Sequence, residues 1–397
     1  MLEFFIITVS LFLTIICIAS IMKRISEEKF ITKLERQGGS NRDAVVSVII
    51  PARNEEKTIS RCIEAVLNQE RVKKEVIVVD DASEDDTSSV VISNYLSYGV
   101  RLIRIGSPRE WWVGKSWACH RGYLESSGDW LLFIDADASF NDRYVVSDTL
   151  AYATHNGIDA LSLIPMLDTS SLASKAMLPT LTALMYLLTP PRRSNDPNDK
   201  LAFFYGSYML FRRDVYESVG GHAAVRDHIL EDKSLGELTK SRGFRVLLLD
   251  GRERMRAKFN ETFNGYLNAL LRLFTEYAVG AGVRRILKYL LAGLIFMLLP
   301  VALALYGIFM ETLTLASILS IIPLLLIFFI QAFELKRLRA PIYYFPLVIL
   351  SVLIILYALL FVALRYRLGG VNLNWRGRTY RYGGASIVKK EVTMVEK

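Results

Sequence analysis

Two aspartates at the end of an apolar segment are the residues of this chain best suited to chemistry. Asp135 and Asp137 follow the run 131–134 and are separated by one alanine. Because residues i and i+2 of a strand point the same way, a strand here would direct both carboxylates at one point. Such a pair suits Mg²⁺ or Mn²⁺, which accept carboxylates together with substrate phosphates. A strand that runs into an acidic turn gives the same spacing, so the pair alone leaves both interpretations open.

The surrounding sequence predicts an α/β domain that would position this pair. Between about residues 45 and 250, short β-branched runs alternate with helical patterns, which is typical of a parallel sheet covered by helices. We expect strands at Val45 to Ile50, Val76 to Val79, Val100 to Ile105 and 130–134, and helices at Glu56 to Asn68, Ser88 to Tyr98 and Trp117 to Ser126. Such sheets bind ligands at the carboxyl ends of their strands. No glycine-rich dinucleotide or Walker loop follows the first strand, which disfavours a dinucleotide or P-loop site.

Four motifs then occur in one order along the chain. They are Val46-Ser47-Val48-Ile49-Ile50-Pro51-Ala52-Arg53-Asn54-Glu55, Val78-Val79-Asp80-Asp81-Ala82-Ser83, Asp135-Ala136-Asp137 and Glu231-Asp232. Together, over roughly residues 45–260, they resemble family 2 glycosyltransferases, which have the GT-A fold. The segment Trp375-Arg376-Gly377-Arg378-Thr379-Tyr380-Arg381-Tyr382-Gly383-Gly384 is similar to the C-terminal segment of ceramide glucosyltransferases and related carotenoid and hopanoid enzymes.

The resemblance implies a pocket for a nucleotide-sugar donor. Its implied residues are Pro51, Ala52, Arg53, Glu55, Asp80, Asp81 and Lys115. Asp81, or its neighbour Asp80, would accept a hydrogen bond from the base, and Lys115 would lie near the sugar diphosphate. The structural alternatives are helix capping for the aspartates and a solvated helix start for the lysine.

The resemblance also assigns the metal and the catalytic base. Asp135 and Asp137 would hold Mg²⁺ or Mn²⁺, which stabilises a departing diphosphate. Asp232 would remove the proton from an acceptor hydroxyl as its oxygen attacks the anomeric carbon, with inversion. An acidic first helical turn favoured by the helix dipole is the structural alternative for Glu231-Asp232.

One family motif is incomplete here. The usual Gln/Arg-x-x-Arg-Trp segment after the base is reduced to Arg272 in Ala269-Leu270-Leu271-Arg272-Leu273. Arg272 could contact the diphosphate or face lipid headgroups. If the tail is cytoplasmic, Arg376 and Arg378 could instead supply the positive charge near the diphosphate. The incomplete motif also argues against a processive polymer synthase.

Apolar segments predict a membrane protein. The chain has 397 residues, of which 52% are hydrophobic and 22% charged, and the apolar excess collects in the runs 2–22, 288–309, 313–333 and 341–364. Each is about long enough to span a bilayer. The resulting organisation is an N-terminal anchor at 1–24, a GT-A domain at 45–257, an amphipathic interfacial helix region at 258–285, transmembrane helices at 286–365 and a basic tail at 366–397.

The charges raise a conflict over topology. Lys23-Arg24 place the following domain in the cytoplasm by the positive-inside rule. Three full crossings would then put the tail outside, although the tail and the loop 336–339 are both basic. One apolar run is therefore re-entrant or interfacial, or the tail breaks the rule.

Composition and net charge limit the classes of partner that the chain is expected to bind. The net charge of +8 fits a domain on an anionic membrane surface, and the absence of a basic, aromatic-interleaved motif argues against nucleic acid. Cys17, Cys62 and Cys119 lack metal spacing and are expected to be reduced, and the four histidines also lack ligand spacing.

The sequence thus predicts a multi-pass cell-membrane enzyme with a cytoplasmic catalytic domain. It would move a single sugar from a nucleotide-sugar donor to a hydroxylated membrane-lipid acceptor. A polyprenyl-phosphate glycosyltransferase is one alternative, and a membrane scaffold or transporter with a degenerate transferase domain is another.

Overall fold

The computed structural model describes residues 1–37, 44–109, 111–309, 314–368, 370–375, 378–383 and 386–389. The chain divides into two compact units. The membrane unit comprises Met1–Lys29, Thr169–Leu188 and Asn260–Lys397, and the other unit comprises Phe30–Asp168 and Thr189–Phe259. The second of these is called the sheet unit below.

The described strands are short and mostly apolar. They are β1 Val45–Ala52, β2 Lys73–Asp81, β3 Val100–Ile105, β4 Trp130–Phe133, β5 Ser139–Phe140, β6 Ala160–Ile164, β7 Met166–Leu167, β8 Met209–Arg212, β9 Val246–Asp250, β10 Met255–Ala257, β11 Val371–Trp375, β12 Arg378–Gly383 and β13 Ser386–Lys389.

The described helices range from single turns to membrane-length segments. The α-helices are α1 Leu2–Glu27, α2 Ile59–Leu67, α3 Thr87–Tyr95, α4 Gly114–Leu124, α5 Val145–Asn156, α6 Leu172–Leu188, α7 Pro191–Asn195, α8 Arg213–Ser218, α9 Gly221–Ala224, α10 Glu231–Ser241, α11 Phe263–Ala281, α12 Val283–Gly293, α13 Leu299–Phe309, α14 Leu315–Arg337 and α15 Val348–Arg367. Short 3-10 helices cover Glu28–Phe30, Leu96–Tyr98 and Ile342–Leu347, and a π-helical turn covers Leu294–Leu298.

A seven-stranded sheet forms the centre of the sheet unit, in the order β3-β2-β1-β4-β8-β6-β9. β8 runs antiparallel to both neighbours, whereas the other described pairs in this sheet are parallel. The predicted α/β class is therefore correct, but the sheet is mixed rather than parallel. Helices on both faces bury it, since Val48 and Ile50 of β1 pack into one apolar cluster and Ile49 into the other.

The ends of β2 and β4 differ from the sequence prediction. β2 extends to Asp81, so Asp80 and Asp81 end the strand itself. β4 ends at Phe133, so Asp135 and Asp137 lie beyond the strand, in a turn closed by a hydrogen bond from Ala138 N to Asp135 O at 3.0 Å. The alternation of a strand therefore does not extend to these two aspartates.

The membrane unit contains four helical segments long and apolar enough to cross a membrane, one at the N-terminus and three toward the C-terminus. They are Leu2–Phe30, Val283–Phe309, Leu315–Arg337 and Ile342–Arg367. A shorter apolar helix, α6, carries a proline at Pro179 and was not predicted. In the same unit, β11, β12 and β13 form a separate antiparallel sheet, part of which contacts α11.

Candidate functional site

One lysine joins two acidic groups in the sheet unit. Lys115 lies in the first turn of α4, Asp135 follows β4, and Glu231 begins α10. Lys115 Nζ is 2.7 Å from Asp135 Oδ1 and 2.8 Å from Glu231 Oε1. Burial lowers the pKa of Lys115, but the charges of Asp135, Glu231 and Asp232 outweigh burial and hold the pKa well above its ordinary value. The lysine is therefore a permanent cation among carboxylates.

Asp232 is the member of the cluster whose environment suits a base. Its Oδ2 accepts a hydrogen bond from Gly206 N at 3.1 Å, and its Oδ1 accepts one from Lys233 N at 2.7 Å. Burial and the adjacent charge of Glu231 raise the pKa of Asp232 to about 7, although Lys115 opposes the shift. A carboxyl group that titrates near neutral pH can both take up and release a proton under working conditions.

Gly206 lies at the meeting point of these groups. A Cβ placed on it would be 2.5 Å from Lys115 Nζ, 3.2 Å from Asp232 Oδ2 and 3.4 Å from Asp135 Oδ2. A side chain at this position would therefore fill the space between the lysine and the acids. The sequence prediction missed Gly206, and its only signal is a glycine shortly before strand β8, where close approach by other groups is one explanation.

The loops after β1 and β2 are fastened to each other. Arg53 donates to the carbonyl oxygens of Asp81 and Ala82, both at 2.7 Å, and Asn54 N donates to Ser83 Oγ at 3.0 Å. Asn54 and Ala82 have φ values of 55° and 52°, in the left-handed region that is unfavourable for residues with a Cβ. The hydrogen bonds across the two loops hold this backbone in place, which gives a rigid rim at the ends of β1 and β2.

The residues predicted to bind the nucleotide-sugar have distinct environments at this rim. Pro51 and Ala52 end β1, and Glu55 is buried with its carboxylate accepting from Thr58 Oγ1. Asp80 is also buried, and its carboxylate accepts from Ser83 N at 2.9 Å and from Ser88 Oγ. These bonds to Asp80 lie within the loop and the start of α3, whose N-cap residue is Asp86. Contact of Asp80 or Asp81 with the base remains a prediction.

Asp135 and Asp137 fit the requirements of a divalent metal with few protein ligands. Both are partly exposed, while Ala136 between them is buried. Among the residues that the structure describes, no group of three or more His, Cys, Asp or Glu side chains could hold a metal ion. Two carboxylates completed by phosphate oxygens and water are a common arrangement for Mg²⁺, so the donor set is compatible with a metal that arrives with a diphosphate.

Cys62 lies beneath the aspartate turn. Its Sγ lies 3.5 Å from Asp135 O, and burial, followed by the charges of Asp137, Asp135 and Glu55, raises the pKa of the thiol far above its ordinary value. Without a bound cation the thiol therefore stays neutral, and it packs against the backbone of the turn.

Two of the three predicted arginines are described, and both lie in the membrane unit. Arg272 is partly buried in α11, and Arg378 is buried in β12 of the membrane unit. Arg376 lies outside the described residues. Their assignment to the diphosphate remains a prediction.

The mixed sheet, with carboxylates and a lysine beyond its strand ends, agrees with the GT-A fold that the sequence resemblance implies. Residues 47–220 match the family described as "Glycosyl transferase family 2". This confirms the resemblance drawn from the four motifs.

Comparison with known proteins gives one sequence relative and one structural relative of note. The chain is 28% identical over 212 residues to 4,4'-diaponeurosporenoate glycosyltransferase of Staphylococcus aureus (strain USA300). This match covers 52% of the chain and spans about half, 54%, of that relative. The fold is similar to that of the mannosyltransferase PcManGT from Pyrobaculum calidifontis, solved in complex with GDP-Man and Mn²⁺, with a TM-score of 0.52 and 16% identity over 90% of this chain and 99% of that one.

Proposed function

We propose that this protein transfers a single sugar from a nucleotide-sugar to a membrane-lipid acceptor at the cytoplasmic face of the cell membrane. The observation that carries the proposal is the cluster of Lys115, Asp135, Glu231 and Asp232 around Gly206. A cation, a metal-type carboxylate and a base near neutral pKa are the groups that glycosyl transfer from a diphosphate requires.

Different side chains of the cluster act on the donor and on the acceptor. Lys115 offsets negative charge that develops as the bond between the anomeric carbon and the diphosphate breaks. Asp232 accepts the proton of the acceptor hydroxyl while that oxygen forms the new bond to the anomeric carbon. Asp135 and Asp137 would hold Mg²⁺ or Mn²⁺, which when bound neutralises charge on the leaving nucleoside diphosphate. The direct attack of the acceptor predicts inversion.

Two observations support a lipid acceptor. The chain has helices long and apolar enough to cross a membrane, and its relative from Staphylococcus aureus is named for a carotenoid acid, 4,4'-diaponeurosporenoate. That name also suggests a second class of acceptor, a carboxylate, which attacks as an anion and needs little help from a base. The raised pKa of Asp232 favours a hydroxyl acceptor instead, because a base that titrates near 7 is matched to removing a proton.

Release of nucleoside diphosphate from a panel of nucleotide-sugars, with Mn²⁺ or Mg²⁺ and membrane lipids, tests the proposal. We expect turnover with at least one donor, and its loss in Asp135→Ala and Asp137→Ala. Glu125→Ala is a matched control, since Glu125 is 44% exposed and follows the same helix as Lys115. Full turnover in both aspartate variants would show that they do not hold the metal.

The acceptor is tested separately, by mass spectrometry of lipids from cells with and without the protein. An added hexose or related sugar on one lipid class is the expected result. The Asp232→Ala variant then separates the acceptor classes, because it should cost far more activity on a hydroxyl than on a carboxylate or a polyprenyl phosphate. A lipid profile that is identical in both cell types would contradict a lipid acceptor.

A further inference from the structure

The first and third membrane-length helices, α1 and α14, run in the same direction. Arg24 near the end of α1 pairs with Glu334 near the end of α14, with 2.6 Å between Nε and Oε1. At their opposite ends, Ile6 of α1 belongs to the same apolar cluster as Ala316 of α14. The shared C-terminal end is called the basic end here, because it carries Lys23, Arg24, Lys336 and Arg337.

The segment α12–α13 runs the other way. A Cβ on Gly307, near the end of α13, would lie 2.5 Å from Ser317 O, near the start of α14. The two helices are thus joined in an antiparallel hairpin away from the basic end. Arg284 and Arg285 at the start of α12 accordingly belong to the basic end, and the chain crosses outward through α13 and returns through α14.

After α14, the chain turns back among the helices. The Phe345 ring lies 5.0 Å from the Phe328 ring, and Phe328 is about 13 Å before the end of α14 at 1.5 Å per residue. Val348, at the start of α15, shares an apolar cluster with Phe328 and Met297. The 3-10 helix Ile342–Leu347 therefore enters the helix assembly from the basic end.

α15 then heads toward the basic end rather than away from it. Ser351 Oγ donates to Ala176 O at 2.7 Å, and Gln331 Nε2 donates to the same oxygen at 3.3 Å. Ser351 is thus level with Gln331, which is closer to the basic end than Phe328. Farther along α15, Leu356 fits against Gly293, where a Cβ would lie 2.7 Å from Leu356 Cδ2.

The contacts of α15 give its direction. The chain advances toward the end of α14, from Phe345, which packs on Phe328, to Ser351, which is level with Gln331. Since α14 ends at the basic end, α15 runs toward that end as well. Because α12 starts at the basic end, α15 runs antiparallel to it and ends there.

We propose that residues 338–367 form a re-entrant hairpin and do not cross the membrane. The chain then crosses three times, through α1, α12–α13 and α14, and the strands β11 to β13 lie on the face at which α1 ends. Backbone that departs from α-helix is tolerated at membrane depth where protein covers it, and the 3-10 helix packs on α14 and α6.

The hairpin removes the conflict between charge and topology. With four crossings, the basic residues of the loop 336–339 and those from Arg365 onward would lie on opposite faces. With three crossings and a hairpin, Lys336, Arg337, Arg339, Arg365 and Arg367 share one face with Arg24, as the positive-inside rule requires of the cytoplasmic side. The same face would then hold Arg378.

Labelling of cysteines introduced one at a time into the whole chain tests this topology independently of catalysis. Arg381→Cys reports on the tail, Glu84→Cys on the sheet unit and Glu3→Cys on the start of α1, and all three native residues are exposed. The unaltered chain gives the background, because Cys62 and Cys119 are buried and Cys17 lies within α1. Intact cells and inverted vesicles are treated with a membrane-impermeant maleimide.

We expect Arg381→Cys to label from the same side as Glu84→Cys and from the opposite side to Glu3→Cys. Labelling of Arg381→Cys from the side of Glu3→Cys would overturn the hairpin. Arg367→Cys, also exposed, gives the same readout if the first variant does not fold.

A second measurement separates a re-entrant hairpin from a segment lying outside the bilayer. Leu350 is 39% exposed near the deep end of α15, so a nitroxide on Leu350→Cys should be more accessible to oxygen than to a polar nickel chelate. Greater accessibility to the nickel chelate would place this segment in water and overturn the proposal.

Discussion

The backbone N–H of Gly206 is 3.1 Å from Oδ2 of Asp232, so a residue without a side chain orients the proposed base. The same glycine leaves the room that Lys115 Nζ occupies. Orientation of the base and placement of the cation thus depend on one small residue between α6 and β8.

Replacing Gly206 by alanine should reduce activity without unfolding the protein. The new Cβ would lie 2.5 Å from Lys115 Nζ, so the lysine must move away from Asp135 and Glu231. We expect kcat to fall by about 100-fold, comparable to the loss of one well-placed electrostatic group. Gly106→Ala is the control, since a Cβ there meets nothing within 4 Å. Equal activities of the two variants in the nucleotide-release assay would contradict this role.

Activity should rise with pH through neutrality. A base acts when deprotonated, and burial with the charge of Glu231 raises the pKa of Asp232 to about 7. Below pH 7 the deprotonated fraction, and with it kcat/KM, should fall about tenfold per pH unit. Asp232→Asn should lose this acid limb and retain a low, flat rate. An unchanged acid limb in that variant would assign the titration to another group.

Removing the ammonium of Lys115 should weaken both donor binding and turnover. Lys115→Ala leaves Asp135 and Glu231 without their shared cation, and the proposed leaving diphosphate loses a compensating charge. We expect kcat/KM for the nucleotide-sugar to fall by about 100-fold or more. Lys73→Ala is the matched control, because Lys73 is exposed at the start of β2, at the other end of the strand from the site. A loss of similar size in the control would indicate a general effect of charge.

The ion pair between Arg24 and Glu334 should stabilise the membrane unit only as a pair. Both side chains are at most 2% exposed, so either substitution alone leaves a buried charge, and removal of one partner of a buried pair typically costs about 3–5 kcal/mol. We expect Arg24→Met and Glu334→Leu each to lower the Tm in detergent, and the double variant to regain part of the loss. A double variant with the summed loss would show that the two residues act independently.

The acidic residues of the site were predictable because each follows or begins a recognisable element. Asp135 follows a run of apolar strand residues, and Glu231-Asp232 begins a helical pattern. The local sequence also placed Lys115 near a helix start. Local patterns thus placed each residue on its element, whereas the resemblance to family 2 glycosyltransferases supplied the prediction that Lys115, Asp135 and Asp232 share one site.

Other features depend on distant contacts that a local pattern does not contain. β8 inserts antiparallel between β4 and β6, although it follows β6 by a long segment, so the mixed sheet and the place of Gly206 were not predictable. The sequence left contact with a base or capping of a helix open for Asp80, and only the structure shows that its carboxylate accepts hydrogen bonds from Ser83 N and Ser88 Oγ. α6 was not predicted because its 17 residues are too few for a typical membrane span.

The position of α6 in the chain affects how the protein is made. The helix interrupts the sheet unit between β7 and β8, and β8 supplies the strand that separates β4 from β6. The central sheet therefore cannot be completed on the ribosome until α6 has been synthesised, and a truncated chain of residues 30–259 would still carry this apolar helix. A chain that stops after β7 would therefore lack the strand that joins β4 to β6, and the sheet and the apolar helix α6 have to be made in one piece.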